Sequence, residues 1–188
     1  MRAVFVMLIL LFSSKTFADD SAIINIRKEY QAIQKTLPLL KKNEFDLSEY
    51  ATEGGHGLAY RDREGNIRLI KASLFLESGK YFNEFYFKDG KLIFAFYLSH
   101  HYNQHPGVTP EFAKKDGMEA FDPNKTEITE DRFYFDNSKL IRWLDKNKHD
   151  VNPNTKEFKD YEEWVMQTSN DMLSESKKNL TLHSRGTR

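Results

Sequence analysis

Three histidines sit close together in this chain, at His100, His101 and His105. Imidazole is a common ligand for zinc or copper, so these three are the candidate metal ligands. Neighbouring residues of a strand point to opposite faces, and no fourth ligand stands at a usual spacing. A solvated loop with no cofactor is therefore the expected state, with zinc or copper as the alternative. The chain has no cysteine. A thiol nucleophile, an iron–sulfur cluster and a cysteine-based zinc site are excluded.

The other short motifs are weaker. Glu53-Gly54-Gly55-His56-Gly57 is glycine-rich but lacks the lysine and following helix of a phosphate loop. Asp122-Pro123-Asn124-Lys125-Thr126 begins like a calcium loop but has neither the glycine nor the final glutamate. Ser174 and Lys177 match S-x-x-K without its companion motifs. No H-E-x-x-H and no G-x-S-x-G occurs. The residue types thus favour a role without catalysis, and a hydrolase or metal carrier using the histidines is the alternative.

Residues 1–18 read as a cleavable signal peptide. One positive charge at Arg2 precedes an apolar run from Ala3 to Phe12, and small residues stand at Thr16 and Ala18. The run is too short to cross a bilayer, which takes about 20 residues. Cleavage after Ala18 leaves a mature chain with two more acidic than basic residues, and no basic stripe to attract nucleic acid. Nothing later is long and apolar enough to span a membrane. Export without cysteines suits a bacterial periplasm or secretion. A core without disulfides must rely on packing, and 15 Phe, 9 Tyr and 2 Trp supply the area.

Residues 19–180 are expected to form one domain, followed by a polar tail at 181–188. Ile23, Ile26, Tyr30, Ile33 and Leu37 recur at helical spacing, and Pro38 ends that pattern. A second helix is predicted over 155–177, with Asn154 and Glu157 at its start and Phe158, Tyr161, Val165 and Met172 on one face. Between them the period changes to two. Phe85-Tyr86-Phe87-Lys88-Asp89-Gly90-Lys91-Leu92-Ile93 recurs as Phe133-Tyr134-Phe135-Asp136-Asn137-Ser138-Lys139-Leu140-Ile141, with a fainter copy from Ala59 to Ile70. Asp-Gly and Asn-Ser between such runs predict tight hairpin turns. Three hairpins give a meander of about six strands, and residues 99–127 are left as a long irregular loop. The fold class is α+β: N-terminal helix, antiparallel sheet, C-terminal helix.

Regular alternation from those turns sorts the residues onto two faces. One carries Phe85, Phe87, Leu92, Phe94, Phe96, Phe133, Phe135, Leu140 and Leu144, a core face for the N-terminal helix to cover. The other carries Glu84, Tyr86, Ile93, Tyr97, Arg132, Tyr134, Ile141 and Trp143. There Arg132 is predicted opposite Trp143, where a guanidinium stacks on an indole. Tyr86, Tyr97, Arg132, Tyr134 and Trp143 are the candidate residues for binding a partner or ligand, since interfaces favour these types. The alternatives are that the C-terminal helix covers this face or that it is an ordinary outer surface.

The segment Glu130–Asp145, with Phe85–Phe94 and Tyr102-Asn103 upstream, resembles a group of small, uncharacterised secreted bacterial proteins across about residues 24–150. That resemblance implies no activity, substrate or catalytic residue. The Tyr-Phe-x-x-Gly-Lys-Leu hairpins are also similar to the repeats of MORN-like and antitoxin-repeat proteins, which implies an interaction surface. The expected function is an exported binding module of the bacterial envelope, its partner an envelope protein or ligand. A purely structural envelope component is a further alternative.

Overall fold

The computed structural model describes the backbone of residues 14–185 and the side chains of residues 20–178. Most of the expected signal peptide, residues 1–13, lies outside the described residues, as do the last three residues of the expected tail.

Among the described residues the architecture is α+β, with seven antiparallel strands in simple sequential order between two long helices. Helix α1 spans Ser14–Thr36. The strands are β1 (Lys41–Asp46), β2 (Gly55–Arg61), β3 (Ile67–Leu76), β4 (Gly79–Lys88), β5 (Lys91–His101), β6 (Glu127–Asp136) and β7 (Lys139–Leu144). A short α2 (Pro110–Asp116) interrupts the β5–β6 connection, and α3 (Lys156–Arg185) closes the chain. The sheet has one strand more than the sequence pattern predicts. The missed strand is β1, Lys-Lys-Asn-Glu-Phe-Asp, in which only Phe45 is buried. Its charges suit an edge strand, where they discourage pairing with another chain.

The repeated hairpins turn as expected. Asp89 and Gly90 have φ of 50° and 74°, and Asn137 and Ser138 have 47° and 64°. Positive φ at both central residues matches the right-handed twist of the flanking strands. Beyond the turns the register departs from simple alternation. Phe87 pairs with Leu92, but Tyr86 pairs with Phe94, so Ile93 is an extra residue. In the same way Phe135 pairs with Leu140 and Tyr134 with Arg142, which leaves Ile141 extra. The β2–β3 hairpin pairs Arg61 with Ile67 and Tyr60 with Leu69, leaving Arg68 extra. All three hairpins therefore carry a β-bulge at the same step of the repeat. A bulge adds one residue to one strand and shifts the alternation beyond it.

That shift corrects the predicted faces. Phe94, Phe96 and Leu144 join Glu84, Tyr86, Arg132 and Tyr134 on one face, which α1 crosses. Tyr97 and Trp143 join Phe85, Phe87, Phe133 and Phe135 on the opposite face, which α3 covers. The face of Phe85, Phe87, Phe133 and Phe135 is thus roofed by the C-terminal helix and not by the N-terminal one.

Each helix is held by apolar contact and local capping. Ile23, Ile26 and Ile33 of α1 are buried against Leu69, Tyr86, Phe94 and Tyr134. Glu29 clamps α1 to the sheet through Arg68, one of the bulge residues, and through Lys88 at 3.3 Å. In α3 the predicted face holds, with Phe158, Val165 and Met172 buried. The cap is Thr155, whose Oγ1 accepts the Phe158 N–H at 3.2 Å, one residue later than predicted.

The 99–127 segment is more ordered than its composition suggests. Strand β5 runs through His101, and β6 begins at Glu127. Between them Asn103 pins both sides of the connection: its Nδ2 donates to the Ala120 carbonyl and its Oδ1 accepts the Asp122 N–H, each at 3.0 Å. No helix among the described residues is long and apolar enough to cross a membrane.

Candidate functional site

Helix α1 covers only part of its face of the sheet. Where its flank lifts from β5 and β6, a cleft of about 420 Å³ opens. Such a volume lies in the usual range of small-molecule sites. Its floor is Phe94 and Phe96 of β5 with Arg132 and Tyr134 of β6, and its wall is Ile26, Arg27, Tyr30 and Gln31 of α1. The Tyr30 and Phe94 rings meet edge-on at 5.6 Å, and Phe94 and Tyr134 lie 5.0 Å apart.

Two polar groups of the cleft, Glu84 and Arg132, are engaged by protein partners. Glu84 takes the Lys71 ammonium at 2.6 Å on Oε1 and the Tyr86 hydroxyl on Oε2. Tyr86 in turn accepts from Gln34 Nε2 of α1 at 2.6 Å. Burial, helped by the adjacent Glu84 carboxylate, pushes the Tyr86 phenol well above its ordinary range and keeps it neutral. Arg132 lies over the Phe96 ring at 5.1 Å, and its Nη2 donates to Glu130 Oε2 at 2.5 Å. Its Nη1 is shielded from solvent and has no hydrogen-bond partner among the described residues. A guanidinium donor left without an acceptor in a partly dry place is costly.

Further along the same face the sheet is bare. Phe75, Phe82 and Leu98 are half-buried, and Ile128 is 57 % exposed. Phe82 meets Phe75 and His100 edge-on, at 6.2 and 5.8 Å. The cleft therefore opens onto an aromatic strip beyond the reach of α1.

The five predicted binding residues separate. Arg132 and Tyr134 line the cleft, and Tyr86 lies beneath α1 and braces Glu84. Tyr97 and Trp143 are buried on the other face under α3. Arg132 stands opposite Leu144, while Trp143 faces Phe133 at 5.4 Å and donates its Nε1–H to Asp131 at 2.8 Å. The predicted Arg132–Trp143 stack is thus replaced by Arg132 on Phe96, because the bulge at Ile141 turns Trp143 over. Phe94, Phe96 and Tyr30 were legible only as core residues, since the bulge has no signature in the hairpin repeat.

The histidines separate too. His100 and His101 occupy opposite faces of β5, against Phe82 and Tyr81. His105 instead meets Glu53 and Glu77, with ligand atoms of the three within 4.8 Å of one another, all exposed. Two carboxylates and an imidazole are a chemically fit set for a divalent cation. However, His105 Nδ1 accepts the Gly107 N–H at 2.9 Å. That bond places the imidazole proton on Nε2 and occupies Nδ1, so a metal at either nitrogen must first break it.

The remaining motifs have structural uses. Gly54 takes φ +92° in a turn, and the Phe45 ring lies over Gly57, where a Cβ would overlap the ring. The glycine-rich run thus makes a turn and leaves room for a core ring. Asp122 spends Oδ1 on the Asn124 N–H at 2.9 Å, capping a short turn. Ser174 is exposed on α3.

Comparison with protein-family models, curated proteins and solved structures finds no match to this chain.

Proposed function

We propose that this protein is an exported, non-catalytic binding module of the bacterial envelope, and that its ligand sits in the cleft between α1 and strands β5 and β6. The observation that carries this reading is the incomplete cover of α1. It leaves four aromatic rings and two arginines around a small open space, where a packed helix would otherwise close the face. A non-catalytic role is supported by the state of Glu84. Both its oxygens are held, by Lys71 and Tyr86, so it offers no free base. Export rests on the charged start, apolar run and small residues of positions 1–18.

The test is to pass a small-molecule extract of the host envelope over the purified protein and identify what stays by mass spectrometry. Phe96→Trp fills the cleft, and Trp164→Ala alters an exposed ring on the α3 side. The native protein and Trp164→Ala are expected to retain the same molecule, and Phe96→Trp to lose it with unchanged melting temperature. Retention by all three refutes the cleft as the site.

A further inference from the structure

We propose that the ligand of this cleft is a small molecule combining a flat apolar ring with a carboxylate. The inference rests on the reading of the cleft as the binding site and adds its chemistry.

The flat ring follows from the walls. Tyr30, Phe94, Phe96 and Tyr134 present ring faces and edges, and aromatic pairs gain from offset and edge-on contact beyond plain burial. The space of about 420 Å³ suits one or two fused rings and does not admit a folded partner.

The carboxylate follows from the charges. Glu84 is neutralised by Lys71 at 2.6 Å and Arg132 is paired with Glu130, so the cleft's uncompensated charge is that of Arg27 on α1, with the unpaired Nη1 of Arg132 on β6 beside it. Arg132 uses Nη2 on Glu130, while Nη1 has no acceptor. The guanidinium carbon lies over the Phe96 ring, 5.1 Å from its centroid. A carboxylate reaching over Phe96 supplies the missing acceptor after a small rotation of the arginine head, and charge-assisted bonds of this kind are about twice as strong as neutral ones. A ring attached to that carboxylate then falls among Phe94, Tyr30 and Tyr134. A neutral acceptor would pair Nη1 without the gain of charge assistance, and a cationic ligand would face two arginines.

The experiment compares 2-naphthoate, 2-naphthamide and octanoate on the purified protein, by calorimetry and by backbone amide shifts. Naphthoate is expected to move amides around Phe96 and Arg132 and to bind at least tenfold more tightly than either other probe. Arg132→Gln is expected to weaken naphthoate far more than the amide, so that the two probes bind the variant about equally. The comparison on the native protein needs no variant to fold. Equal binding of amide and acid in the cleft overturns the carboxylate, and equal binding of octanoate overturns the ring, while the cleft survives as the site in both cases. No shift around Phe96 and Arg132 with any probe overturns both this inference and the reading beneath it.

Discussion

The bulge at Ile141 decides which residues share a face, and double-mutant cycles on Trp143 test it. In the structure Trp143 is buried against Phe133 at 5.4 Å, Tyr161 at 4.3 Å and Phe158 at 6.5 Å, and it bonds to Asp131. Trp143→Leu gives up these contacts, at a cost of about 3 kcal/mol, the low end for losing a buried tryptophan altogether. Phe133→Leu costs less, about 1–2 kcal/mol, because leucine refills part of the space. Leucine is the choice at both sites because domains have only about 5–15 kcal/mol in total, and the double variant must remain folded. The Phe133–Trp143 pair is expected to show a coupling of about 1 kcal/mol, the size found for touching aromatic rings. Arg132 lies on the other side of the sheet, so its cycle with Trp143 through Arg132→Ala is expected to give no more than about 0.3 kcal/mol. The assay is urea unfolding, with stability read from the midpoint at constant slope. Coupling of Arg132 to Trp143 with none between Phe133 and Trp143 would refute the bulged register and restore plain alternation.

Three further expectations follow from local chemistry. Burial raises the Asp131 carboxyl above its ordinary value, against the opposing effect of the Trp143 N–H bonded to it. A raised folded pKa means the native state holds its proton longer than the unfolded chain, so this group costs stability as pH rises above about 4. Asp131→Asn keeps an acceptor for Trp143 and is expected to melt higher at pH 7, with the difference shrinking toward pH 4; a lower melting temperature at pH 7 would contradict this. Ser138 sits at φ +64° where the sister hairpin has Gly90, so Ser138→Gly is expected to add about 1 kcal/mol, or ~3 °C in melting temperature. Because Gly107 occupies His105 Nδ1, zinc titration of the native protein and of His105→Ala is expected to give the same weak isotherm, and tight one-to-one binding lost on substitution would overturn that.

Much of the fold was legible because the signals were local. Helical spacing of Ile23, Ile26 and Ile33 marked α1, and Asp89-Gly90 and Asn137-Ser138 marked two hairpins. The sequential strand order followed from repeated hairpins, since neighbours in sequence usually pair. Strand β1 was hidden because a charged edge strand lacks alternation. The faces were misassigned for one reason. Ile93 and Ile141 are apolar residues in apolar runs, and nothing in their type shows that they are the extra residues of a bulge. One residue of slip then moves every later side chain across the sheet. The cleft inherited that error. Arg132 and Tyr134, which lie before the turn, were placed with Tyr86 correctly; Tyr97 and Trp143, which lie after a bulge, were not. That His105 lies beside Glu53 and Glu77 depends on how three separate loops meet, which spacing along the chain does not encode.

The most direct test of the central claim is a crystal structure of the protein grown with 2-naphthoate. The naphthyl ring is expected among Phe94, Phe96 and Tyr134, with its carboxylate on Arg132. Naphthoate bound instead against Trp164 on the α3 side, with the cleft filled by rearranged α1 side chains, would contradict it.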